Sequence, residues 1–388
     1  MNQTRNGQPG FFTEEHELFR RNFRRFIETE VTPHADKWEE AGIFDRSLFK
    51  RMGELGYFGV RYPEDVGGSG GDIWHTMVMC EEWPKSRMAG VPMAMMVQSD
   101  MATPIINEIG TAEQRQEFLA PAIRGEKIAA LGVSEPDAGS DVAGMKTVAR
   151  KDGDDYVISG SKMWITNGTR CDFITLAART SDSKHGGISL FTFPTDVKGF
   201  EVGKAIKKIG NHSSDTGLLF FDQCRIPKRY LLGEEGHGFY HIMTNFQGER
   251  LVGAAMGYAG AQLALDLTIQ YCRDRAMFGR NLLGFQVTRH KLVELQTEVE
   301  AARWLTYAAA DEFSQMGAAA TQKISMAKYY AAEVAKKVAD QCLQLHGGMG
   351  YSDESFISRY FRDVRLLPIG GGASEVMKEI ISKMMNLG

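Results

Sequence analysis

The 388-residue chain is poor in cysteine and has none in a metal or redox spacing. Its five (Cys80, Cys171, Cys224, Cys272, Cys342) are odd in number, far apart and never form C-x-x-C, which argues against a zinc knuckle or a redox dithiol and predicts reduced, mostly buried thiols. No run of about 18 apolar residues is present to span a bilayer. Met1 to Gly10 is polar with a single Arg, unlike a secretory signal. Excess positive charge is missing too: 45 basic against 49 acidic side chains leave a net charge of −4, which gives no general attraction to nucleic acid. Neither G-x-G-x-x-G after a strand nor G-x-x-x-x-G-K-[ST] occurs, so a bound dinucleotide would lie outside the Rossmann scheme. The expectation is a cytoplasmic, bacterial-type protein with no membrane span and no nucleic-acid partner.

What is present is enough apolar sequence, 43%, to fill more than one core, and the length suits two or three domains. From Thr13 to about Ile106 the apolar spacing is helical: Phe19, Phe23, Phe26 and Ile27 recur until Pro33, and Leu48, Met52 and Leu55 until Gly56. Thr111 with Gln114 has capping-box spacing and opens another helix toward Gly125. Between Lys127 and about Pro227 the texture changes to short β-prone runs, Tyr156–Ser159, Phe173–Leu176 and Ile188–Phe193, with Asp152-Gly153 as a hairpin turn. Long helical periods return over Phe239–Asp274, Gln286–Gln315 and Thr321–Leu345, rich in alanine. The predicted fold is α+β: an N-terminal helical domain (1–126), a middle antiparallel β domain (127–236) and a C-terminal helical bundle (237–388).

His237 and His241, at i and i+4, have the spacing of two metal ligands but no third, so a surface or capping role is expected and no metal. Three stretches are more telling in combination than singly. Gly132-Val-Ser-Glu-Pro-Asp-Ala-Gly-Ser140-Asp141 is a turn of small, hydrogen-bonding residues whose backbone can approach a ring or an anion. Met163-Trp-Ile-Thr-Asn-Gly168 sets Trp164 and Thr166 two residues apart, on one side of a strand. Gln344-Leu-His-Gly-Gly-Met-Gly350 ends a long helix, where glycine serves as a cap.

In this order and spacing, the three resemble the acyl-CoA dehydrogenase family, from about Phe12 to the C-terminus. The resemblance implies an FAD enzyme that oxidises an acyl-CoA to the trans-2-enoyl-CoA and passes electrons to an electron-transferring flavoprotein. It further implies that Leu131, Val133, Ser134, Trp164 and Thr166 contact the flavin, with the Thr166 hydroxyl near N5, and that Ser140 lies between flavin and CoA. Arg275, Phe278, Gln286, Gln344 and Gly348 resemble residues that reach a neighbouring subunit's FAD, which implies a homotetramer.

Most members carry the α-proton base in an I-Y-E-G-T stretch near the C-terminus. Here it reads Ile369-Gly370-Gly371-Gly372-Ala373, without the glutamate. The resemblance to the long-chain and isovaleryl-CoA enzymes supplies an alternative, Glu249 in Glu249-Arg250-Leu251, with Arg250, Gly370, Gly371 and Gly372 at the substrate and the Gly371 N–H on the thioester carbonyl. Glycine at 370, where tyrosine is usual, implies tolerance of a methyl branch near the β-carbon on a medium or longer chain. Two other readings stay open: a flavin oxidase or monooxygenase of the same fold, and a non-catalytic assembly flavoprotein.

Overall fold

The computed structural model describes residues 10–387; the signal-peptide reading of Met1 to Gly10 falls almost wholly outside them. Eight helices open the chain: α1 (Glu14–Phe26), α2 (Ala35–Ala41), α3 (Ser47–Glu54), α4 (Ile73–Glu82), α5 (Gly90–Met96), α6 (Pro104–Ile109), α7 (Ala112–Gln114) and α8 (Ala120–Ile123). α5 runs on into a π-helical segment, Val97–Ala102, and another, Arg115–Leu119, joins α7 to α8. The predicted cap is present, since the Thr111 side chain accepts from the Gln114 N–H and the Gln114 side chain from the Thr111 N–H.

Eight strands follow: β1 (Ala129–Gly132), β2 (Val148–Asp152), β3 (Asp155–Thr166), β4 (Phe173–Arg179), β5 (Ile188–Pro194), β6 (Phe200–Val202), β7 (Thr216–Pro227) and β8 (Leu231–Leu232). They form one sheet in the order β6-β7-β3-β2-β4-β5-β8, with β1 also on β4. Asp152 pairs with Asp155, so Gly153 (φ +63°) and Asp154 make the expected tight turn. The sheet is mixed, not purely antiparallel: β1 runs parallel to β4, and Val148 of β2 meets Arg179 of β4 in parallel. The reason is burial. β4 and β5 are covered almost end to end on both faces, the setting in which parallel neighbours are tolerated.

The rest is a bundle: α9 (Gly238–Asp274), a hairpin β9 (Ala276–Met277) and β10 (Arg280–Asn281), α10 (Gln286–Met316), α11 (Thr321–His346), α12 (Gly348–Tyr351), α13 (Phe356–Asp363) and α14 (Ser374–Met384). Fully buried alanines, Ala254 and Ala261 on α9 and Ala327, Ala331 and Ala335 on α11, let these helices pack closely. A Cβ on Gly257 would sit 3.4 Å from the Ala331 carbonyl. All five cysteines are free and buried. Glu81 of α4 joins the N-terminal helices to α9 and α10: its carboxylate accepts from Arg20, Tyr258 and Tyr307. No helix among the described residues is long and apolar enough to cross a membrane.

Candidate active site

Glu249 and Arg250 lie in the first half of α9, opposite the turn that joins Leu366 to α14. Gly371 and Gly372 are both left-handed there, φ +61° and +93°, a conformation that costs any other residue energy. A Cβ built on Gly371 would stand 3.2 Å from the Glu249 Oε1, so the carboxylate occupies the space a side chain at 371 would need. Glu249 Oε2 is shut away from solvent with no hydrogen-bond partner among the described residues. Burial pushes this carboxyl up to about 6, against the opposing charges of Arg250 and Lys328. Arg250 is 4% exposed; its Nε also lacks a partner, 3.7 Å from where a Cβ on Gly372 would be. The N–H of Gly371 makes no hydrogen bond among the described residues. Gly370, just before, is crowded only by Leu366, 3.3 Å from its notional Cβ.

A second group of expected residues gathers on β1 and the end of β3. The Met163 N–H donates to the Ser134 carbonyl (2.9 Å), which ties the Gly132–Asp141 turn to β3. Beneath it Lys162, fully buried, donates to the Val133 carbonyl (3.0 Å) and to Glu135 Oε1 (2.8 Å). Trp164 does not follow the strand alternation expected of it. The register of β3 on β7 shifts between Met163 and Ile165, and Trp164 is the extra residue of that bulge, at φ +68° and 56% exposed. The bulge presents a flat indole at the surface, and the Thr166 and Ser134 hydroxyls and the Trp164 indole N–H have no partner among the described residues. An open aromatic beside unsatisfied donors fits a planar, hydrogen-bonding ligand such as a flavin. Leu131 and Val133 pack below, and Ser140 is exposed on the turn.

The two groups flank one segment. Asn167 Nδ2 donates to the Ala94 carbonyl (3.0 Å) and Thr175 Oγ1 to that of Ala102 (2.6 Å) from the sheet, while Asn245 Nδ2 of α9 donates to the Met101 carbonyl (2.8 Å). The π-helical stretch 97–102 is thereby held between the sheet and the turn of α9 that carries Glu249, and π segments recur at such sites.

The remaining expected residues are elsewhere. Arg275 caps the far end of α9, 26 residues or about 39 Å beyond Glu249 at 1.5 Å per residue. Phe278, at the tip of the β9–β10 hairpin, is 89% exposed with φ +49°, and Gln286 begins α10. Gln344 and Gly348 join this second locus, where His346 stacks on Tyr271 (4.1 Å between centroids). Within one chain these five do not meet Trp164 or Glu249. Gly372, expected at the substrate, has its carbonyl taken by Lys328 Nζ.

Lys328 was not among the expected residues, although the sequence carried a signal: a lysine on the apolar stripe Ile324, Ala327, Ala331, Ala335. His237 and His241 join no group of metal-ligating residues among those described; His237 precedes α9 with its Nδ1 3.3 Å from the Glu235 carbonyl. The one such group is His16, Asp72 and His75, and it is a pair of helix caps. The Nδ1 of each histidine accepts a backbone N–H, from Thr13 (3.0 Å) and Asp72 (3.2 Å). The Asp72 carboxylate lies 2.9 Å from both His16 Nε2 and His75 Nδ1, so hydrogen bonding between the two caps accounts for the cluster.

Residues 13–126, 130–224 and 236–386 match, in turn, the models of the acyl-CoA dehydrogenase N-terminal, middle and C-terminal domains. The chain is 38% identical to the mitochondrial long-chain specific acyl-CoA dehydrogenase of Sus scrofa over 96% of its own length and 86% of that protein's. It is 37% identical to the short-chain specific acyl-CoA dehydrogenase of Clostridium acetobutylicum, over 95% and 97%. Among solved structures, an acyl-CoA dehydrogenase from Geobacillus kaustophilus superposes with a TM-score of 0.92 at 38% identity, covering 97% of this chain and 99% of that one. A glutaryl-CoA dehydrogenase from Mycobacterium smegmatis in complex with FADH2 does so at 0.91 and 28% identity, over 97% and 96%.

Proposed function

The chain belongs to the acyl-CoA dehydrogenase family, flavoprotein oxidoreductases that act on acyl-CoA, and from that premise we propose that it dehydrogenates a medium- or long-chain or branched acyl-CoA with Glu249 as the α-proton base. One observation carries the assignment: Glu249 is a carboxylate with a partnerless oxygen and a pKa raised to about 6, set against a glycine whose side-chain space it fills. A base poised near the working pH is what abstraction of a weakly acidic α-proton calls for. The free Gly371 N–H faces the thioester oxygen and stabilises the enolate-like charge that builds there. Arg250 adds positive charge beside it.

Leu131, Val133, Ser134, Trp164 and Thr166 would hold FAD, which when bound supplies the acceptor for the β-hydride. Ser140 would lie between cofactor and CoA. Arg275, Phe278, Gln286, Gln344 and Gly348, remote from that cradle in their own chain, would serve a neighbour's FAD in a homotetramer, as the family resemblance implies. Electrons pass on to an electron-transferring flavoprotein, not to oxygen.

The test is single-turnover flavin reduction by Glu249→Gln under anaerobic conditions with decanoyl-CoA. The amide keeps the shape and removes the basicity, so reduction should slow by about 10²-fold or more while substrate binding holds. A near-normal rate would assign the proton to another group.

A further inference from the structure

Resting on the reading of Glu249 as the base, we propose that Lys328 is a positioning residue for the same step: its ammonium clamps the Gly371–Gly372 turn through the Gly372 carbonyl and supplies the positive field in which Glu249 ionises. Lys328 is 2% exposed on α11, and its only hydrogen bond among the described residues is to that neutral carbonyl. Buried lysines ordinarily sit against a carboxylate, as Lys162 does against Glu135. A lysine given a carbonyl instead has charge left over for its surroundings.

Those surroundings are few. From α9 come Glu249 and Arg250, from α14 Glu375, and from its own helix Glu333. Glu333 is already engaged by Lys336 and by the Ser374 hydroxyl and Glu375 is exposed on the first turn of α14, so Glu249, with its Oε2 shut away from solvent, is the carboxylate left to answer the ammonium. The Gly372 carbonyl is turned inward by two successive left-handed glycines, and the lysine that receives it fixes where the Gly371 N–H stands. When Glu249 takes the α-proton, the C–H bond breaks, an O–H bond forms on the carboxyl, and negative charge moves from Glu249 to the thioester oxygen. It stays within reach of Lys328, Arg250 and the Gly371 N–H throughout, so no cation is stranded. Burial brings the Lys328 ammonium down to about 8, which gives the device an alkaline limit.

The experiment is the pH dependence of the second-order rate of flavin reduction by decanoyl-CoA at sub-saturating concentrations, which reports groups of the free enzyme. The wild type should rise through an inflection near 6 and fall through one near 8. Lys328→Gln removes the charge and should move the lower inflection up by about one unit. Lys328→Arg stays charged in alkali and should restore the lower inflection and abolish the falling limb, a test that stands even if the glutamine variant does not fold. A lysine that only seals the turn would lower the melting temperature or the rate at every pH with both inflections unmoved, and that result overturns the proposal. Failure of the underlying reading is separate: Glu249→Gln would then keep the wild-type profile.

Discussion

Lys162 and Lys328 are both buried, and loss of solvent brings both down to about 8, yet the glutamates beside them behave in opposite ways. Burial pushes Glu135 up, but the Lys162 charge and hydrogen bonds from Lys162, Thr147 and the Lys146 N–H outweigh it and hold the carboxyl below its ordinary value. Both Glu135 oxygens are satisfied. Glu249 has no such bonds, so burial prevails. The first pair is closed and pins the Gly132–Asp141 turn to β3; the second is held open, with the lysine turned to a carbonyl and Glu249 Oε2 without a hydrogen-bond partner among the described residues. Burial alone therefore does not decide which way a carboxylate's pKa moves. The number of donors aimed at it does.

The largest effect expected from this contrast is on stability. Glu135→Ala strands the Lys162 charge and two backbone N–H groups, and should lower the unfolding free energy in urea by about 3–5 kcal/mol. Glu249→Gln should do the reverse. A carboxyl whose folded pKa lies above its unfolded one favours folding only while protonated, and that contribution fades as pH rises through about 6. Above that pH the glutamine variant should equal or exceed the wild type, by at most about 1–2 kcal/mol, and a loss of several kcal/mol would mean that the second pair is as closed as the first.

Exchanging the two positions that share one space sharpens the comparison further. Adding Gly371→Glu to a Glu249→Gly background should recover roughly tenfold in flavin reduction, about 1.4 kcal/mol, despite the left-handed backbone at 371. In the wild-type background the same substitution meets Glu249 Oε1 at 3.2 Å and should only impair. The smallest effect concerns Gly370→Tyr, which on the proposed assignment would fill space beside the reacting carbons. It should depress reduction by a branched acyl-CoA several-fold more than by a straight one, a difference of about 1 kcal/mol; equal losses would show that residue 370 does not set the choice.

Regular periodicity made much of this architecture legible. The three long helices lie within a residue or so of their predicted ends, because their apolar faces repeat over seven turns or more and glycine or a hairpin follows. Thr111 with Gln114 and the Asp152-Gly153 turn are local signals, and both are present. The parallel pairing of β1 with β4 was not legible, since a four-residue apolar run carries no direction. Nor was the bulge that turns Trp164 outward, which depends on how β7 registers against β3. At the site, Glu249 and Gly371 were visible only as a loss and a gain at two distant places in the chain. Lys328 stood on an apolar stripe, where its charge was the clue, but only the fold brings it to the Gly372 carbonyl.

The assignment of the base is tested most directly by following the α-proton itself. Purified protein and acyl-CoA are mixed in deuterated water without an electron acceptor, and α-deuterium in the recovered thioester is measured by mass spectrometry. Wild-type protein should wash deuterium in at the α-carbon, and Glu249→Gln should do so about 10²-fold more slowly with its flavin still bound. Exchange by that variant at the wild-type rate would contradict the account, whatever the variant does to turnover.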